Sequence, residues 1–221
     1  MKKWCLVSAA VVMSWLCGQQ PAYADTVTIG KQHFTDGTKI TTSAYLTAVS
    51  GQPAPFFNAF CGFDATTNCS ANWVFNYVLP TGDSITGATL TLGIFDIDSA
   101  APGNQVGSFM LDGSDSLTSQ LNASSEAASS LNSFYNVLTI TIPSGFFIDL
   151  QSGSAKFALT LSGPGLGVLG TTPFNGAGLD FSTLDIASQP STPPTPEPAT
   201  WLLLLTGILG FGIARTLLKQ P

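Results

Sequence analysis

Apolar side chains recur at every second position along several separate stretches of this chain, and that period decides what it can fold into. WVFNYVLP puts Trp73, Phe75, Tyr77 and Leu79 on one face. ATLTLGIFDID does the same for Leu90, Leu92 and Ile94, with Thr89 and Thr91 opposite. NVLTITIP aligns Leu138, Ile140 and Ile142, and AKFALTLSG aligns Phe157, Leu159 and Leu161. A period of two with β-branched and aromatic enrichment marks half-buried antiparallel strands. Adding TVTIG, KITTSAYLTAV, QVGSFML and LDFSTLDI gives about eight strands. Turns at Pro80-Thr81-Gly82-Asp83 and Pro143-Ser144-Gly145 separate several of them. The expected fold is all-β: an antiparallel two-sheet sandwich of jelly-roll or Greek-key type. A content of 22 Gly and 14 Pro in 221 residues suits short strands and turns better than helices.

One stretch, residues 112–133, departs from the alternation. It is rich in Ser and Ala, and Leu117, Leu121 and Ala128 are spaced for one short helix. Such an insertion is either a surface loop or a lid over a binding face, and the loop is the expectation.

Both ends of the chain read as membrane-directed. Lys2 and Lys3 precede an apolar run from Trp4 to Leu16, and Ala22-Tyr23-Ala24 stands before Asp25. That is the three-part pattern of a secretory signal over residues 1–24, with signal peptidase expected to cut after Ala24 and to read the small Ala22 and Ala24. Trp15 and Leu16 are too large for Cys17 to be a lipoprotein acceptor. At the other end, Trp201 to Ala214 carries no charge, and Arg215 and Lys219 follow. Counted to Leu218, the helix would span about 27 Å, a thin transmembrane segment over residues 201–219 with its basic end in the cytoplasm. Residues 190–200 form a Pro-rich stalk between this helix and an exported domain at 25–189.

Pro196-Glu197-Pro198, the apolar helix and the basic end together resemble the PEP-CTERM sorting signal of Gram-negative bacteria, with PEPATWLLLLTG as the matching stretch. The resemblance implies an inner-membrane exosortase that recognises Pro196, Glu197 and Pro198 and removes the tail. The domain would be exported across the inner membrane, held briefly by its C-terminal anchor, and delivered to the cell surface or extracellular matrix.

The domain itself is acidic. Between Asp25 and Gln189 three bases (Lys31, Lys39, Lys156) face twelve acids, a balance of −9. Nucleic acid and anionic lipid are poor partners for such a surface. Cys61 and Cys69 bracket CGFDATTNC in an exported chain, so a disulfide worth about 2–3 kcal/mol is expected between them.

Little in the sequence points to catalysis. His33 is the only histidine, and it reads as a solvent-facing loop residue rather than a base. No zinc ligand set and no phosphate loop are present in the sequence. Paired carboxylates could serve a glycosidase, but Glu126 lies in the Ser-rich insertion. The pairs Asp96/Asp98, Asp112/Asp115 and Asp180/Asp185 read as strand ends or turns. In FDIDSAAPGN, Asp96 and Asp98 should continue the Leu90/Leu92/Ile94 face. With Asn104 they offer calcium, the cofactor to expect if there is one, an oxygen-rich edge. The reading that results is a non-catalytic surface or matrix protein with polysaccharide as the partner of one sheet face. The alternative is a secreted glycan-active hydrolase.

Overall fold

The alternating runs do become strands, and they pair into two sheets. The computed structural model describes residues 22–53, 69–97, 106–115, 117–128, 133–161, 177–191 and 203–208. Its strands are β1 (Tyr23–Gly30), β2 (Thr38–Lys39), β3 (Cys69–Asn76), β4 (Asp83–Phe95), β5 (Val106–Leu111), β6 (Ser114–Asp115), β7 (Phe134–Thr141), β8 (Ser154–Leu161) and β9 (Gly178–Pro190). Helices are α1 (Thr42–Ala48), α2 (Thr118–Ala128) and the short α3 (Phe147–Leu150). One sheet runs β1-β9-β4-β7-β2 and the other β3-β8-β5-β6. Strand pairings within both are antiparallel.

The core lies between the sheets. Leu90, Leu92, Ile94, Leu138, Ile140, Leu184 and Ile186 enter from the first sheet, and Trp73, Phe75, Phe109, Phe157 and Leu159 from the second. Trp73 stacks on Phe157 with centroids 5.8 Å apart and planes at 17°. A register shift between Val106 and Ser108 lets both Val106 and Phe109 bury, although they are an odd number of positions apart. At the Pro80 turn, Asp83 N–H donates to Pro80 O at 3.1 Å while Gly82 holds a φ of 86° that other residues resist.

Two expectations fail here. Lys39 to Val49 is not a strand: after the brief β2 pairing with β7, the chain turns into α1. Thr41 supplies the cap, its Oγ1 accepting from Ala44 N–H at 3.1 Å. Tyr45 and Val49, four apart, share one helix face and are fully buried. The insertion at 112–133 is not a loose loop either. It holds β6 and α2, with Leu117 and Leu121 in the core. Asn122 clamps β5 through both backbone groups of one residue: its Oδ1 accepts from Val106 N–H at 3.0 Å and its Nδ2 donates to Val106 O at 3.1 Å. A short polar helix with buried Asn122 and Ser125 is thereby made part of the sandwich.

Tyr23–Gln189 form one compact unit. The remaining residues, Met1–Ala22 with Pro190–Pro221, fall in a second unit. There, residues 203–208 are helical, with Leu203, Leu204, Leu205 and Ile208 exposed. Among the described residues no helix is long and apolar enough to cross a membrane. The sorting motif Pro196, Glu197 and Pro198 lies outside the described residues, as does the signal segment before Ala22.

Candidate functional site

The outer face of the five-stranded sheet is covered at one end by α1 and the loop before it. Tyr45, Val49, Phe95, Tyr135 and Phe181 form a second apolar cluster there, with Phe34, Ile40 and Val137 packed against it. Two glycines allow the approach. A Cβ on Gly93 would sit 2.2 Å from the Tyr135 hydroxyl, and one on Gly178 would sit 2.2 Å from the Tyr45 ring.

Asp180 sits within this covered region, fully buried. Its Oδ1 lies 2.7 Å from His33 Nδ1, and its Oδ2 accepts from His33 N–H at 2.9 Å and from the Tyr135 hydroxyl at 2.8 Å. Gln52 Nε2 adds contacts to Asp180 O at 3.2 Å and Oδ1 at 3.3 Å. The donors come from three separate parts of the chain, so the carboxylate ties the loop at His33, the turn after α1 at Gln52 and strand β7 to β9. A buried carboxylate needs such donors, because an unpaired charge in that position is strongly unfavourable.

His33 is therefore not a free loop histidine: its side chain is 20% exposed and bound to Asp180. Asp180 and Asp185 are likewise inside β9 rather than in a turn. The sequence gives one hint of the clasp, an acid in a strand with no nearby base, but its partner is 147 positions away.

A carboxylate-held imidazole is also the orienting half of many general-base sites. In the neutral tautomer that donates from Nδ1 to Asp180, Nε2 is left as an acceptor. Among the described residues no hydroxyl or thiol is hydrogen-bonded to that nitrogen.

The hydroxyls beside the clasp are hard to ionise. Burial pushes the Tyr45 phenol up, and the Asp180 charge pushes it further. Tyr135 is raised by burial first, then by the charge and hydrogen bond of Asp180. Across the core Tyr77, which donates to Leu150 O at 2.6 Å, is raised by burial and then by Asp112. A phenol whose ionisation is suppressed only in the folded state stabilises the fold fully below the ordinary tyrosine range. That contribution disappears as pH rises beyond it. The unfolding midpoint in urea should accordingly fall as pH passes about 10, with phenolate absorbance rising together with loss of the native signal. Ionisation of the full tyrosine complement in a still-folded chain would contradict this.

The expected calcium edge is only partly in view. Strand β4 ends at Phe95, and Asp96 takes a φ of 58°, which breaks the alternation: Ile97, not Asp96, is the next buried side chain. Asp96 Oδ1 accepts from Ser133 N–H at 2.5 Å. Asp98 and Asn104 lie outside the described residues, and so does Cys61; Cys69 is the first residue of β3. Among the described residues no three His, Cys, Asp or Glu side chains gather around a point where a metal could sit. Glu126 lies on α2, and Asp112, with a φ of 48°, accepts from Lys156 N–H at 3.0 Å.

No family model matches the chain, and no curated protein does. Among solved structures, one chain described as CBM35 from Cellvibrio japonicus Abf62 is similar over 72% of this chain and 92% of its own, at 15% identity and a TM-score of 0.34. A likeness that slight carries no argument about ligand or activity.

Proposed function

We propose that the chain is an exported, non-catalytic component of the cell surface or extracellular matrix, sorted by its PEP-CTERM tail and binding polysaccharide through a sheet face. The observation that carries the non-catalytic reading is the closed clasp. Both oxygens of the buried Asp180 are occupied by donors of this chain, and its work is to hold α1 on the sheet. Binding in place of chemistry is supported by the exposed strand faces, where cross-strand hydroxyl pairs such as Ser70–Thr160 and Thr28–Thr183 replace the charges of an ionic interface.

In this reading signal peptidase removes residues 1–24, exosortase removes the tail, and Cys61 pairs with Cys69 in the oxidising exterior. Intact mass of the surface-extracted protein tests the sorting. The expected mass lacks residues 201–221 and shows no thiol alkylation without reductant; a mature form retaining Trp201 to Pro221 would overturn it. A glycan array on the mature protein tests the binding, and a blank array would remove polysaccharide from the reading.

A further inference from the structure

Below the clasp, the outer face of the five-stranded sheet carries threonine in register on four neighbouring strands. Thr28 of β1 pairs with Thr183 of β9, and Thr91 of β4 pairs with Thr139 of β7. The β9–β4 register follows from two close approaches. A Cβ on Gly87 would lie 3.8 Å from Ala187 Cβ, and one on Gly93 would meet Phe181. Six positions forward on β4 are thus six back on β9, which sets Thr91 against Thr183 and Thr89 against Asp185. One row therefore reads Thr28, Thr183, Thr91, Thr139. The row beside it reads Thr26, Asp185, Thr89, Thr141.

We infer that this threonine grid is the polysaccharide-binding face, and that its ligand is a neutral, extended glycan lying flat across β1, β9, β4 and β7. The inference rests on the polysaccharide reading above. Three features select that ligand. The threonines stand on a lattice whose strands are about 4.8 Å apart and whose rows are about 6.8 Å apart, and threonine is stiff at χ1, so little side-chain freedom is lost on binding. They are also pre-oriented by one another. Thr28 and Thr183 hydroxyls are 2.8 Å apart, Thr91 and Thr139 hydroxyls 3.2 Å apart, and Thr26 donates to Asp185 at 2.5 Å. A hydroxyl engaged in one such bond still has capacity to accept, and each pair keeps one hydrogen to donate, which matches a partner made of hydroxyls. Charge decides the rest: the grid holds one carboxylate and no base, so an anionic polymer is repelled.

The surroundings fix how the ligand lies. Beyond the second row, Ala187 and Gly87 continue the face with small side chains. At the opposite end Phe181, Tyr135 and the α1 cluster rise from the sheet as a wall. A chain laid along the rows meets methyls and hydroxyls throughout and is bounded on one side only.

Co-sedimentation of the mature protein with microcrystalline cellulose and chitin, as neutral insoluble probes, and with calcium-gelled alginate, as an anionic one, tests the grid. Wild type should deplete onto a neutral probe and not onto alginate. Thr91→Val/Thr183→Val, which removes two hydroxyls at constant shape, should weaken that binding by about tenfold, as expected for two lost hydrogen bonds. Thr91→Lys/Thr183→Lys should abolish it, with thermal melts confirming the fold. Val74→Glu, on the exposed face of the other sheet, should bind as wild type does. Loss with Val74→Glu and none with the grid variants would overturn the grid and leave polysaccharide binding standing. Wild type bound to alginate alone would overturn the neutral ligand. No binding here together with a blank glycan array would overturn both readings. Ice-crystal shaping by wild type, lost in Thr91→Lys/Thr183→Lys, with no polysaccharide bound, would reassign the grid to an ice lattice and overturn the proposal.

Discussion

Asp180→Ala should lower the free energy of unfolding by about 3 kcal/mol or more. The side chain is fully buried, and its removal strands the Tyr135 hydroxyl and the His33 backbone N–H, leaves the Gln52 amide with the residue 180 carbonyl, and frees the His33 ring from its carboxylate. Asp180→Asn should do less harm, since one amide oxygen still accepts, yet its NH2 faces the donors that Oδ1 or Oδ2 now accepts from. His33→Ala leaves the carboxylate buried with the Tyr135 hydroxyl, the Gln52 amide and the backbone N–H of residue 33, and should cost roughly 2 kcal/mol. Urea unfolding of the two single variants and the double would expose the coupling, because residues of one network are not additive. Asp180→Ala within about 0.5 kcal/mol of wild type would mean that the clasp does not hold α1 to the sheet.

Gly93→Ala should be nearly as damaging, by about 3 kcal/mol. The new methyl would stand 2.2 Å from the Tyr135 hydroxyl and 2.4 Å from the Phe181 ring, so both rings must shift, and the Tyr135 shift breaks its bond to Asp180. In an Asp180→Ala background the same substitution should therefore cost less, as the hydroxyl has nothing left to lose. Gly87→Ala is the matched control in the same strand. Its Cβ meets nothing nearer than 3.8 Å, and the loss of glycine's unfolded-state freedom should leave stability unchanged or raised by up to about 1 kcal/mol. Equal effects at residues 87 and 93 in chemical denaturation would contradict the close packing under the clasp.

The strands of this protein were legible because their inward positions are written in period two. Trp73, Leu90, Leu138 and Phe157 sit where the alternation puts them. The helix α1 was hidden because Thr41-Thr42-Ser43 and the β-branched residues around it favour strand locally. Its true signals, a capping threonine and the pair Tyr45 and Val49, occupy a stretch of only one or two turns. The short helix α2 misled differently. Its polar residues look solvated, but Asn122 and Ser125 are polar in order to bind Val106 and the helix backbone from a buried position. The clasp was least legible of all. The one local mark is an acid inside a strand at Asp180, and its partner His33 lies 147 positions away. The threonine grid was half visible: Thr89 and Thr91 were read as outward-facing, while the rows needed the register of four strands.

The first strand of the sandwich lies beside its last, with Tyr23 opposite Ser188 and Gly30 opposite Phe181. The chain therefore enters and leaves the domain at one corner, and the ladder joining the two ends has its first rung there. A force that drew the ends apart would load that ladder one rung at a time, like a zip, which is the weakest direction in which to pull an antiparallel pair. Only a chain held at both ends feels that force. Held at either end alone, the same domain carries no load across β1 and β9, so release of one end takes the force off that seam.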